Sequence, residues 1–362
     1  MTTTLNSPID IEAERRLDAE TEWRAYHIFY GGSPYTLLAD LVVPMAERVV
    51  AEGLAVEFFF INYWLEGAHI RLRLRVRPEN IEALDREVLT EGQAYLDEHP
   101  SMHPMMQLMD DAFYENLFEG EYTDAARPNY FDENGKPIFA ENNTIQVREY
   151  VREWERYGGE IGMLLSERYF VDSSKKVVEL LRLGNLRVRP ILLGISAQLT
   201  FVTAMSMLGD IDMVTDFFRV YHQRWLPVGD PPPYLSESGQ RAYRDYIDEL
   251  SAMLQSYRSA IESGNLEELP GPLQDWARTC QGYVDTLTNL YERGDKLEFD
   301  FYDGHRPAEN VAEAAWSLCH SFIHMTNNRM FVSVADESFL SFLILRAFGQ
   351  EVTAKEAGSD DS

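Results

Sequence analysis

The chain has 362 residues, 45% of them hydrophobic and 25% charged. That globular composition excludes a fibrous or wholly disordered chain and suffices for one large domain or two ordinary ones. With 60 Asp and Glu against 32 Lys and Arg, a formal net charge of −28, it is repelled by phosphate backbones and anionic headgroups, so nucleic acid and membranes are poor partners.

In chain order, residues 1–22 are polar and read as a loose tail. Tyr26–Tyr30 (YHIFY) reads as a short aromatic strand closed by Gly31-Gly32. Ser33-Pro34 then caps and opens a helix that runs to about Glu52. Val56–Leu65 (VEFFFINYWL) is a β-rich run, Glu66-Gly67 a turn, and His69–Val76 (HIRLRLRV) a strictly alternating strand. A helix follows from Pro78 to Glu98. Strand, helix, hairpin and helix together open a ferredoxin-like sheet. Residues 100–145, rich in Met, Asn and Pro, read as a loop-rich excursion within an α+β unit of residues 23–159. Thr144–Trp154 resumes strand character.

Over residues 160–350 the apolar spacing is helical, in segments near 160–170, 173–183, 190–208, 211–226, 237–263, 270–293, 309–328 and 335–348. Gly184, the 229–233 run, Gly264, Pro270-Gly271 and Gly304 punctuate them. Residues 190–209 carry no charge over about twenty positions, a bilayer's length. Ser196, Gln198, Thr200, Thr203 and Ser206 interrupt that run, which predicts a helix buried among helices instead. Residues 351–362 read as a second loose tail. The predicted fold is α+β, a ferredoxin-like mixed sheet packed against a mostly α-helical C-terminal part.

Three patterns carry chemistry. In the strand HIRLRLRVR, His69, Arg71, Arg73, Arg75 and Arg77 share one face and the aliphatic residues the other. That row is either a solvated face salted by the chain's many acids or a site where guanidinium forks hold an anion. In EWERYGG, Glu153 and Arg156 precede tandem glycines, read as a tight turn at a strand end. In HSFIHMTNNR, His324, Asn327, Asn328 and Arg329 place four polar groups on two turns of a late helix, which is costly to bury without purpose. His320 and His324 stand four apart, but no HExxH pattern, cysteine pair or carboxylate spacing makes them a metal site. Cys280 and Cys319 form no disulfide framework. With no targeting signal, a reducing cytoplasm is the expected compartment.

Together and in order, FFFINYWLEGAHIRLRLRV, YVREWERYGG and HMTNNR resemble the FFIRYxxxxxHLRLR, YxxExxRYGG and HMxxNR segments of one family. That family is the C-terminal, glutamate-eliminating domain of class I lanthipeptide dehydratases, with stand-alone versions in thiopeptide pathways. The likeness runs from about Trp23 to Gly349, and no counterpart of the preceding glutamyl-transferring region is seen. It implies half of a split enzyme. A separate transferase uses glutamyl-tRNA to esterify Ser or Thr of a ribosomal precursor peptide. This domain would expel the glutamate, leaving dehydroalanine or dehydrobutyrine, without metal or cofactor. The resemblance makes Arg71, Arg73, Arg156 and His324 catalytic, and Glu153, His69, Asn328 and Arg329 substrate-binding. The strand 69–77, Arg156 and the 324–329 helix would then meet in one site. Asn62 stands where the family carries arginine. The alternatives are a pyridine-forming cyclase of thiopeptide pathways and a non-catalytic leader-peptide module. Oligomeric state, monomer or homodimer, is open.

Overall fold

Alternation in the HIRLRLRV strand organises the first half of the molecule. The computed structural model describes residues 8–105, 114–115, 117–119, 122–225 and 237–350. It divides into two compact units, Ala13–Arg152 and Glu153–Ser362 together with Met1–Glu12.

In the smaller unit, β1 (Glu22–Phe29), β2 (Glu57–Tyr63), β3 (His69–Val76) and β4 (Thr144–Arg148) form one sheet in the order β2-β3-β1-β4. Every neighbouring pair is antiparallel. Between β1 and β2 run α2 (Pro34–Leu37), a π-helical turn (Leu38–Val42) and α3 (Val43–Ala51), and between β3 and β4 runs α4 (Ile81–Glu98). This is the ferredoxin-like βαββαβ order expected from the sequence. Ser33 caps α2, its hydroxyl accepting from the Thr36 amide, with Pro34 in the first turn. Ile70, Leu72, Leu74 and Val76 are at most 1% exposed on one face. On that face α4 is tied down by Asp85, which accepts from the Arg24 guanidinium and the Tyr26 hydroxyl of β1.

Two expectations for this unit are corrected. Residues 11–20 form a helix, α1 (Ile11–Glu20), rather than a loose tail. Its apolar pattern is weak. Charge holds it, since Glu14 and Asp18 reach the buried Arg75 and Asp18 also pairs with Arg152. β4 stops at Arg148 rather than continuing to Trp154. Residues 1–7 and 351–362 of the expected tails lie outside the described residues. So does part of the 100–145 excursion. The rest carries a 3-10 turn, Asp124–Asn129, and a small aromatic core of Leu65, Tyr114, Phe118 and Phe131.

The larger unit is helical: α5 (Gly159–Leu183), α6 (Arg189–Leu208), α7 (Ile211–Arg224), α8 (Glu237–Glu262), α9 (Gly271–Arg293), α10 (Val311–Arg329) and α11 (Val334–Ala347). A short hairpin, β5 (Glu298–Phe301) and β6 (Gly304–Pro307), was not anticipated. The two helices expected at 160–170 and 173–183 are one. Ser166 and Ser173 donate back to the carbonyls of Gly162 and Tyr169, so these serines do not interrupt it. α6 is long and apolar enough to cross a membrane, but 67% of its most apolar stretch is buried inside the protein. Its hydroxyls explain why: Thr203 accepts from Trp276, and Ser196 and Thr200 donate to Asn327. Membrane-like composition here is core.

Candidate functional site

On the second face of the sheet, cross-strand register aligns Trp23, Ala25, His27 and Phe29 of β1 with Arg75, Arg73, Arg71 and His69 of β3. Glu57, Phe59, Ile61 and Tyr63 of β2 lie opposite the same four from the other side. The row is not uniform. Arg75 is 2% exposed and fully engaged, reaching Glu57, Glu14 and Asp18 and donating to the Thr21 hydroxyl. Arg77 pairs with Glu20 at the surface. Arg73 is buried, its guanidinium 5.2 Å from the Tyr150 ring and 5.8 Å from the Phe59 ring. Arg71 is half-buried and lies 3.2 Å over the Tyr63 ring. No carboxylate among the described residues forms an ion pair with Arg71, which is notable in so acidic a chain.

His69 reads out this polarity. Its Nδ1 lies 2.8 Å from the Gly67 carbonyl, and its Nε2 accepts from Arg71 Nε at 3.2 Å. The proton therefore sits on Nδ1 and the ring is neutral. Burial, and then the Arg71 charge, hold its pKa well below the usual imidazole value. His27, which no motif singled out, stacks on His69 at 5.0 Å and is depressed likewise by burial and by Arg71, His69, Arg73 and Arg148.

The other group of residues lies within the helical unit. His324 projects from α10, its side chain 19% exposed, and its Nδ1 is 2.9 Å from Glu337 Oε1 of α11. The Glu337 side chain is wholly buried, and the Tyr221 hydroxyl of α7 donates to its other oxygen. Burial and Glu337 raise the Tyr221 pKa far above normal, so the phenol stays a donor. With Glu337 Oε1 as the acceptor, the imidazole proton lies on Nδ1 and Nε2 keeps the lone pair. Trp225 stacks on the His324 ring at 4.8 Å, and the Arg224 guanidinium lies 5.6 Å from the Trp225 ring. Arg224 is exposed, has no ion pair among the described residues, and is lowered in pKa by partial desolvation and by Arg156. His320 is pushed down to about 3 by burial and by Arg224, His324 and Arg156. Among the described residues, no group of three or more His, Cys, Asp or Glu is placed to hold a metal.

The chain matches a family model described as lantibiotic biosynthesis dehydratase, C-terminal, over residues 23–348. It belongs to that family. Of the solved structures, the pyridine synthase TbtD from thiomuracin biosynthesis matches with a TM-score of 0.65 at 19% identity, covering 90% of this chain and 97% of TbtD. TsrL matches with a TM-score of 0.61 at 16% identity, covering 91% and 94%. The tRNA-dependent lantibiotic dehydratase MibB from Microbispora sp. 107891 matches at 0.46 and 19%, covering 90% of this chain and 28% of MibB. At these identities the first two likenesses establish the fold. No curated protein matches.

Within this dehydratase-family domain, each motif takes a definite place. HxRxR is the cationic face of the sheet. RYGG is a turn leading into α5, not a strand end. Gly158 holds φ +85°, and a Cβ there would meet the Phe299 ring at 2.8 Å. One turn on, a Cβ at Gly162 would lie 1.8 Å from the Tyr157 carbonyl, so this helix start accepts only glycine. Arg156 is exposed and bonded to Glu153 at 3.0 Å, so Glu153 orients an arginine. HMTNNR splits by helix face. His324 and Asn328 stand four apart on a half-buried side. Asn327 is buried against α6. Arg329 is 0% exposed, bonded to Ser174 of α5 and to the Met325 carbonyl, and braces the core. Glu337, Tyr221 and Arg224 were missing from the sequence reading because no local pattern marks them. Asn62 aligns with Ile70, on the aliphatic face of the sheet and not in the arginine row.

Proposed function

We propose that this domain is a lyase that eliminates glutamate from glutamylated Ser or Thr residues of a ribosomal precursor peptide. The products are dehydroalanine or dehydrobutyrine and free glutamate. The observation that carries the reading is the His324–Glu337–Tyr221 set: an imidazole whose tautomer is fixed by a buried carboxylate and whose second nitrogen is free.

Elimination breaks the Cα–H and Cβ–O bonds. The Cα–H electron pair becomes the Cα=Cβ double bond, and the Cβ–O pair leaves with glutamate as a carboxylate. A carboxylate departs readily without being protonated. The demand is therefore for a base at the weakly acidic Cα–H and for cations that hold the leaving dicarboxylate. His324 Nε2 is the base. Arg71 and Arg73, with Arg156 and the newly found Arg224, are the carboxylate-binding cations. His69 fixes Arg71, Glu153 orients Arg156, and Asn328 lines the His324 face of α10. Arg329 acts only through the core. A separate glutamyl-tRNA-dependent transferase supplies the substrate, which places the reaction in the cytoplasm and leaves tRNA to the partner. The reaction itself uses no cofactor.

The second reading is pyridine formation, favoured by the fold shared with TbtD. A cycloaddition of two dehydroalanines releases no dicarboxylate, so it gives Arg71 and Arg224 nothing to bind. Incubation with a glutamylated precursor peptide, followed by mass spectrometry, separates the two. Loss of glutamic acid from an otherwise intact peptide is expected. Release of a leader peptide with ring formation would establish the cyclase instead.

A further inference from the structure

His27 is the buried polar side chain that this mechanism does not use. It is 6% exposed, and neither ring nitrogen has a hydrogen-bond partner among the described residues. Buried polar groups are normally paired, and an imidazole with both nitrogens unpaired is costly to bury. Register sets it directly across from Arg71 on β3 and Gln146 on β4, where facing side chains are neighbours. The charged or titratable groups around it are His69, Arg71 and Arg73 of β3 and Arg148 of β4. Of the acids here, Glu66 is taken by Arg148 and Glu57 by Arg75. Each of these charged or titratable neighbours is thus a cation or a neutral imidazole, and the missing component is an anion.

We propose that His27 is a further member of the anion site, donating a hydrogen bond from its ring to a substrate or product carboxylate held by Arg71. The half-buried Arg71 marks the edge from which that carboxylate enters. This inference rests on the reading of the arginine strand as the glutamate-binding face. It adds a consequence that the arginines alone do not have. Burial and the surrounding cations keep His27 neutral in the free protein. An arriving carboxylate cancels that repulsion, so the ring takes a proton from solvent as the ligand binds. Binding of an anion is then linked to uptake of a proton, and tightens as the pH falls.

Isothermal titration of L-glutamate into the full chain at pH 6.5, in two buffers of different ionisation enthalpy, counts that proton. Wild type should take up a measurable fraction of a proton per glutamate bound. His27→Phe should bind about tenfold more weakly or worse, as expected for loss of a hydrogen bond to a charged group, with no uptake. His27→Gln should recover part of the affinity and none of the uptake, and it stands in for the phenylalanine variant if that one does not fold. Unchanged affinity and uptake in both variants, with Arg71→Ala losing binding, would overturn the role of His27 and leave the arginine site standing. If wild type binds no glutamate, or Arg71→Ala binds it normally, the arginine reading itself falls, and His27 with it.

Discussion

In the sheet unit His27 and His69 stack on each other among Arg71, Arg73 and Arg148, whereas in the helical unit His324 is bonded to a buried glutamate backed by a tyrosine. The first environment withholds carboxylates and disfavours the imidazolium form. The second supplies an acceptor and fixes which nitrogen carries the proton. One chain therefore gives the same residue type two opposite environments, by deciding where the acids go; on the proposed function the first suits an anion and the second a proton. In a chain of 60 acids, keeping carboxylates away from Arg71 is as specific a feature as placing Glu337 beside His324.

The contrast is tested hardest at His324. His324→Ala should slow elimination by about 10²–10⁴-fold if the imidazole takes the Cα proton, measured by single-turnover release of glutamate. Glu337→Gln keeps the shape but exchanges an acceptor for an amide, so it should also slow turnover and disturb the pH–rate profile. Near-normal elimination in a folded His324→Ala variant would move the cyclase or leader-binding readings ahead.

Arg75 and its neighbours Arg71 and Arg73 sharpen the comparison within one strand. Arg75→Ala leaves Glu14, Asp18 and Glu57 around an empty site, and loss of one partner from a buried ion cluster costs about 3–5 kcal/mol. The denaturant midpoint should fall strongly while elimination per folded molecule changes little. Arg71→Ala and Arg73→Ala should do the reverse, weakening glutamate binding by about 1.5–3 kcal/mol each. Lysine should rescue poorly, since it lacks the bidentate fork.

That strand was legible from sequence because alternation, a preceding turn and a following proline all agree. Glu66 and Gly67 do take positive φ, 64° and 101°, as the expected turn requires. The α1 helix was not legible, because its reason for existing is Arg75, more than fifty residues away. Glu337 was illegible for the same cause. It sits in an unremarkable ADESF stretch, and only the packing of α10, α11 and α7 makes it a partner of His324. Motifs exposed half of each candidate site. The other half comes from tertiary neighbours.

Acid should probe the two environments at once. His27 and His69 are held far below the usual imidazole value near 6.5, and His320 is pushed down to about 3. The unfolded chain then binds protons that the folded chain excludes. Stability is complete above about pH 6.5 and is lost below it, by up to about 1.4 kcal/mol per pH unit for each such histidine. Melting temperatures from pH 7.5 to 5 should fall accordingly, and glutamate should slow the fall if His27 accepts a proton in the complex. A flat profile would show that these rings are not held neutral.

The smallest effect is expected at Asn62, and its smallness is what makes it informative. The family segment carries arginine there, so a missing catalytic cation is the obvious suspicion. Register argues otherwise: Asn62 pairs with Ile70, while Arg71 pairs with Ile61 and His69 with Tyr63. Side chains alternate along β2, so residue 62 belongs to the aliphatic face and a cation there would not join the arginine row. Asn62→Arg, at a half-buried position with a long stem able to carry the charge outward, should lower stability by about 1 kcal/mol. Elimination per folded molecule should stay within about twofold of wild type, a change of about 0.4 kcal/mol in the barrier. A tenfold gain in glutamate release would show instead that the substrate reaches the aliphatic side of β2, and that the cationic face is not the whole of the glutamate site.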